Sequence, residues 1–180
     1  MFTGKQVRLR ALSETDIDHI MSWVNDETIT RYLSQVNRVS SRSQETAYLK
    51  RMMEGDEHAR AFSIETTTGE YVGLCSLHEI DLVHRHAELG IIIGRKDLQG
   101  KGYGTEAVRL LLAVAFGALN LHKVYLRVVG SHRQAIRVYE RCGFREAVRF
   151  RRHCFIDGAW HDDLLMEAFR DAATAESGVE

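Results

Sequence analysis

Apolar and polar side chains alternate from Lys5 to Leu12. Val7, Leu9 and Ala11 share one face and Arg8 and Arg10 the other, which is the period of a half-buried strand. The spacing then lengthens to three and four residues. Ile17, Ile20, Met21 and Val24 form the inward stripe of a helix ending near Asn25, opened by Ser13 and Asp16 at capping-box spacing. A short helical piece is expected over Asp26 to Leu33 and a polar loop over Ser34 to Arg42. A second helix, capped by Ser43, carries Ala47, Leu49, Met52 and Met53 on its apolar side and stops at Gly55.

Arg60 to Thr67 and Tyr71 to Ile80 then read as a hairpin turning at Thr68-Gly69. His86 to Gly94 is a strand whose Leu89 to Ile93 run predicts burial on both faces. Val108, Leu111, Leu112, Ala115 and Leu119 have helix spacing within an amphipathic run from Ala107 to Leu119. Lys123 to Val129 is a strand, and Gln134 to Cys142 a helix closed by Gly143. Phe144 to Ile156 and Ala159 to Phe169 flank Asp157-Gly158, a hairpin turn signal. This order predicts a mixed α/β sheet.

With 180 residues, the chain is expected to form a single domain over residues 1–170, with residues 171–180 as a frayed tail. A net charge of −1 gives no reason to expect nucleic acid or an anionic membrane as partner. No apolar run approaches the roughly 20 residues that span a bilayer, and the N-terminus lacks a signal-peptide core. The expected location is the cytoplasm. Cys75, Cys142 and Cys154 are widely spaced, which fits reduced, packed thiols rather than a disulfide framework or a metal cluster. His84 and His86 lie two apart as on one strand face, but no further ligand pattern joins them, so no metal is expected.

The candidate chemistry begins at Asp97-Leu98-Gln99-Gly100-Lys101-Gly102-Tyr103-Gly104-Thr105-Glu106. A buried strand precedes this stretch and an amphipathic helix follows it. Glycines allow close backbone approach, and a helix start offers free N–H groups and partial positive charge, so the stretch suits a phosphate. It is not a nucleotide P-loop: Gly94 stands one residue too far from Gly100-Lys101, and Gly102 occupies the hydroxyl position. It is not a dinucleotide fingerprint either, because Thr105 replaces the third glycine.

Gln-x-x-Gly-x-Gly over Gln99 to Gly104 resembles the pyrophosphate loop of the GNAT superfamily of acetyl-CoA-dependent N-acetyltransferases. Three further stretches share that resemblance: Ala87-Glu88-Leu89-Gly90, Asn120 to Leu126, and Ala135-Ile136-Arg137-Val138-Tyr139-Glu140-Arg141-Cys142-Gly143-Phe144. The resemblance implies a mostly antiparallel, twisted sheet flanked by helices, with acetyl-CoA as co-substrate. It implies coenzyme contacts at Gln99, Gly100, Lys101, Gly102, Tyr103, Gly104 and Thr105. It also implies backbone contacts from Ile91, Ile92 and Ile93 to the pantetheine arm and the carbonyl oxygen. His132 stands where the family usually has an Asn near the coenzyme sulfur.

An alkyl amine, with a pKa of about 10, must lose a proton before it attacks. Glu88 is the candidate base, against a structural role in pairing with Arg85 or Lys96. Tyr139 matches the family's general acid for the leaving thiolate. No nucleophilic side chain is required, so direct transfer is expected.

The stretch from His78 to Glu88 resembles bacterial spermidine N-acetyltransferases, which makes Glu79 a candidate for binding a cationic acceptor. Ser34 to Arg38 lacks the acidic residues those enzymes carry. Protein N-termini and amino sugars therefore stay open as acceptors, as does a coenzyme-binding module without turnover. A homo-oligomer is compatible with all of these.

Overall fold

The computed structural model describes residues 1–33, 39–55 and 57–171. The core of the expected loop, Ser34 to Arg38, and all of the tail after Asp171 lie outside the described residues. Eight strands form one sheet in the order β1-β2-β3-β4-β5-β6-β8-β7. They are β1 Phe2–Thr3, β2 Val7–Arg10, β3 Arg60–Thr66, β4 Tyr71–Asp81, β5 His86–Ile93, β6 Lys123–Val129, β7 Arg145–Ile156 and β8 Ala159–Phe169. Every neighbouring pair is antiparallel except β5 and β6.

That one parallel contact is short. It pairs His86 with Lys123, Ala87 with Val124 and Glu88 with Tyr125, and ends there. β5 stays paired with β4 on its other edge as far as Ile93. Among the described residues, Leu89 to Ile93 therefore have no strand partner on the β6 side, leaving polar backbone groups open to another extended molecule.

Helices cover the two faces unequally. The five are α1 Asp16–Met21, α2 Glu27–Thr30, α3 Arg42–Glu54, α4 Tyr103–Ala113 and α5 Arg133–Arg141. Leu77, Ala87, Leu89, Val124, Leu126 and Met166 meet α4 and α5 in the main core. On the opposite face, Leu74 and Ile92 pack against a smaller cluster of Ile17, Ile20, Trp23 and Leu49 from the α1–α3 segment. The Leu89 to Ile93 run is thus shared between both clusters, with Ile91 and Ile93 on the main one. Among the described residues, no helix is long and apolar enough to cross a membrane.

Several boundaries differ from the local pattern. α3 is capped by Ser41, not Ser43, through a complete capping box with Gln44. Of the apolar side expected for α3, Leu49 is buried while Ala47 and Met53 are exposed. Ala11 is exposed because the strand ends at Arg10. α4 begins at Tyr103, inside the glycine motif, and its end loosens into a π-helical turn over Val114–Ala118. Only half of the Ser13–Asp16 box forms: the Ser13 N–H donates to Asp16 Oδ2 at 2.9 Å. The Asp16 carboxylate, 1 % exposed, is drawn inward to a bidentate pair with Arg10 and to the Ser63 hydroxyl at 2.6 Å.

Candidate active site

β5 runs into a 3-10 turn, Lys96–Leu98, anchored by buried Leu98. The chain then turns at Gly100, φ 76°, and Gly102, φ 92°, left-handed conformations that a side chain would strain. Gln99 Nε2 donates to the Ile93 carbonyl at 3.0 Å, tying the turn to the end of the strand. Gly102 caps α4 with no side chain, and its carbonyl accepts from the Glu106 N–H at 3.0 Å. The N–H groups of Tyr103, Gly104 and Thr105 have no acceptor within the helix, by the geometry of a first turn. Lys101 is exposed beside them. Such groups suit a polyphosphate, and a β-carbon on Gly100 or Gly102 would strain the turn.

Glu106 would place a negative charge at that helix start. Its carboxylate instead accepts backbone N–H groups from the turn before β2: Lys5, Gln6 at 2.8 Å and Val7 at 3.1 Å. A side chain on Gly4 would overlap it. The motif reading passed over this anchor, which joins residues about a hundred positions apart.

Glu88 sits where β5 and β6 part. Ala87 and Leu89 point into the main core, so Glu88 points to the opposite face. Neither alternative partner holds it: Arg85 donates to Asn120, and Lys96 pairs with Asp26 at 2.6 Å. Burial pushes the Glu88 carboxyl above its usual range, and the charges of Glu79 and Asp163 add to this against His78 and Arg127. Asp163 is itself buried and pairs with Arg127.

Glu79 lies at a β-bulge in β4 with φ 47°, a conformation costly for a residue with a side chain. The bulge lets its carboxylate reach across the sheet to accept the Tyr125 hydroxyl at 2.7 Å. Tyr125, the last partner of Glu88 on β6, has its phenol pushed up first by burial and then by Glu79.

Tyr139 approaches from the other side of the sheet. It stands on α5, is 9 % exposed, and lies edge-on to Phe144 with ring centroids 5.9 Å apart. Burial, then the Cys142 thiol, pushes its phenol up to about 12, so it stays protonated at neutral pH. His132 is the residue before α5. Burial lowers its pKa, and its ring stacks on Tyr32 at 4.2 Å. Tyr32, Tyr125 and Arg127 had no signal in the local pattern, because only sheet register and loop packing bring them here.

The cysteines are free thiols. Cys75 and Cys142 are buried, and burial pushes the Cys142 thiol up to about 11. Among the described residues no three His, Cys, Asp or Glu side chains are grouped to hold a metal ion, and His84 and His86 stand 6.4 Å apart by ring centroid.

Comparison with known proteins agrees with this geometry. The acetyltransferase (GNAT) domain family matches residues 6–145. A spermidine N(1)-acetyltransferase of Vibrio cholerae is 35% identical over 159 residues, 88% of this chain and 90% of that protein. One from Escherichia coli is 32% identical over 176 residues, 98% and 92% of the two chains. The solved structure of spermidine N-acetyltransferase from Vibrio cholerae, in complex with CoA and spermine, superposes with a TM-score of 0.85 at 32% identity. It covers 95% of this chain and 99% of its own. A glycine cradle at a strand-to-helix junction, an opened strand pair beside it and a family match across most of the sheet lead to one conclusion: the chain belongs to the GNAT acetyltransferase family and is an acetyl-CoA-dependent N-acetyltransferase.

Proposed function

We propose that the chain moves the acetyl group of acetyl-CoA directly to a primary amine of a polyamine such as spermidine. The observation that carries this reading is the Glu88 carboxylate, half-buried, without an ion-pair partner among the described residues, and set where β5 and β6 part. Around it stand Glu79 and Asp163, so the opening has acidic character suited to a cationic acceptor. The spermidine acetyltransferase relatives match along nearly their whole length, which supports the same acceptor class.

The residues divide the work as follows. Gln99, Gly100, Lys101, Gly102, Tyr103, Gly104 and Thr105 hold the pyrophosphate of the coenzyme. The free edge of β5 at Ile91, Ile92 and Ile93 pairs with the pantetheine arm and donates N–H groups to the carbonyl oxygen as it gains charge. Glu88 takes one proton from the acceptor ammonium, and the freed amine attacks the thioester carbon. The attacking nitrogen gives up its second proton to solvent, and as the C–S bond breaks Tyr139 gives its proton to the departing sulfur, which leaves as the coenzyme thiol, and recovers one from solvent. His132, kept neutral by burial, holds the coenzyme near the sulfur as donor or acceptor. Glu79 binds a second ammonium of the acceptor. Residues 1–170 act as one catalytic unit on this reading, in the cytoplasm, where exposed thiols stay reduced.

The test is thiol release from acetyl-CoA with spermidine, spermine, amino sugars and short peptides with free N-termini. Release confined to the two polyamines is the expected result. Release with peptides or amino sugars alone would replace the acceptor class, and coenzyme binding with no release from any acceptor would leave a binding module.

A further inference from the structure

Across the β4–β5 pair, His78 stands directly opposite Glu88, and Ser76 stands opposite Gly90. All four positions lie on the sheet face opposite the main core. Opposed side chains in such a pair begin about 5 Å apart. The imidazole does not stand free. His78 Nε2 and Ser76 Oγ are hydrogen-bonded at 2.7 Å, and Ser76 is buried, 4 % exposed. The pair closes over Gly90: a β-carbon there would lie 3.0 Å from His78 Nε2 and 3.3 Å from Ser76 Oγ. Gly90 is also among the first residues of β5 without a partner on β6. An imidazole is therefore braced beside the candidate base, next to the point where β5 and β6 part.

We propose that His78, held by Ser76 over Gly90, is a positioning residue whose charge controls when Glu88 accepts the proton of the acceptor amine. Histidine is the side chain whose charge changes near neutral pH. As imidazolium, His78 stabilises the Glu88 carboxylate and keeps the base ionised to lower pH; without that charge Glu88 takes up a proton at higher pH. Other charged or titratable groups face the same carboxylate: Glu79 from β4, Tyr125 and Arg127 from β6, and Asp163 from β8. His86 lies two residues before Glu88 on β5, its ring edge-on to Tyr125 at 5.9 Å. Arg127 is paired with Asp163 and Tyr125 donates to Glu79, so both have partners of their own. Among the described residues, His78 has its only hydrogen-bond partner in a neutral hydroxyl.

The proposal rests on Glu88 being the base, and the experiment separates the two. The pH profile of kcat/KM for spermidine is measured in the parent, Glu88→Gln, His78→Gln and Ser76→Ala, with acetyl-CoA affinity measured alongside. Glutamine at position 78 keeps a donor for Ser76, so the strand pair is preserved. The parent is expected to lose activity on the acid side, as Glu88 protonates, and Glu88→Gln to lose that limb. His78→Gln is expected to move the limb upward by about half to one pH unit, because a stabilising positive charge is gone. Ser76→Ala should move it in the same direction by less. Loss of the limb in Glu88→Gln with no movement in His78→Gln would overturn the proposal and leave the base assignment standing. A limb retained in Glu88→Gln would overturn both. A uniform fall in rate for His78→Gln with an unmoved limb would assign the imidazole a structural role only.

Discussion

At the scale of single residues, the proposed chemistry turns on two groups whose pKa values the fold raises. The carboxyl of Glu88 is raised by burial and by neighbouring acids, so its basic form is a stronger proton acceptor than an ordinary glutamate. Tyr139 is raised to about 12, so it remains a donor across the physiological range. If Tyr139 protonates the departing sulfur, Tyr139→Phe should lower kcat by roughly 10² or more while acetyl-CoA affinity is unchanged. Steady-state kinetics together with equilibrium binding of the coenzyme would check this. Equal turnover in variant and parent would return the ring to a packing role against Phe144. Both residues were legible by resemblance, through the short stretches around them. Their environments were not, because Glu79 reaches Tyr125 only through a bulge that no local pattern announces.

At the scale of elements, the unit that matters is β5, the glycine turn and α4. Its strand buries Ala87 and Leu89 on one face and is partly buried on the other, its turn needs two left-handed backbones, and its helix starts with unpaired N–H groups. Gly102→Val places a β-branched residue at φ 92°, with a cost of roughly 1–3 kcal/mol in the bound geometry. Acetyl-CoA affinity should therefore fall by about one to two orders of magnitude, as titration calorimetry would record. Undiminished affinity would contradict the cradle. The helix boundaries carry a separate lesson. Ser41 with Gln44 satisfies the capping-box spacing, whereas Ser43 is followed three positions later by Thr46, so the correct cap was readable in the chain. The start of α4 was harder to read, since glycines suggest a loop until the helix after them is seen to begin at Tyr103.

At the scale of the molecule, the α1–α3 segment and the start of the sheet are joined by a buried ionic network. Arg10 bridges Asp16 and Glu65, and Asp16 also accepts from Ser63 and Ser13. Burial raises the Asp16 carboxyl, but Arg10, Ser63 and the Ser13 N–H outweigh it and hold it below the usual range. A carboxyl depressed in the folded state stabilises the fold above its unfolded pKa and ceases to do so as pH falls through its folded value. Asp16→Ala, which leaves the partly exposed Arg10 with Glu65 as its remaining carboxylate partner, should cost about 1.5–3 kcal/mol in denaturant unfolding near neutral pH. The difference from the parent should narrow at strongly acid pH, where Asp16 is protonated. A cost that did not change with pH would show that packing, not charge, sets the role of Asp16.

What the sequence determined alone was the kind and order of the main elements and the glycine turn between β5 and α4. Those features depend on spacing within a few residues, and side-chain periodicity and turn chemistry are local. The tertiary structure decided what surrounds the carboxylate at position 88. β5 and β6 part directly after Glu88, and register then brings His78 from β4, Tyr125 from β6 and Asp163 from β8 around it. The same packing brings Glu106 to the Lys5–Val7 turn and Tyr32 to His132. A shift of one residue in register would turn each strand's side chains to the opposite face, and nothing in a single strand's own pattern states which residue its neighbour will present.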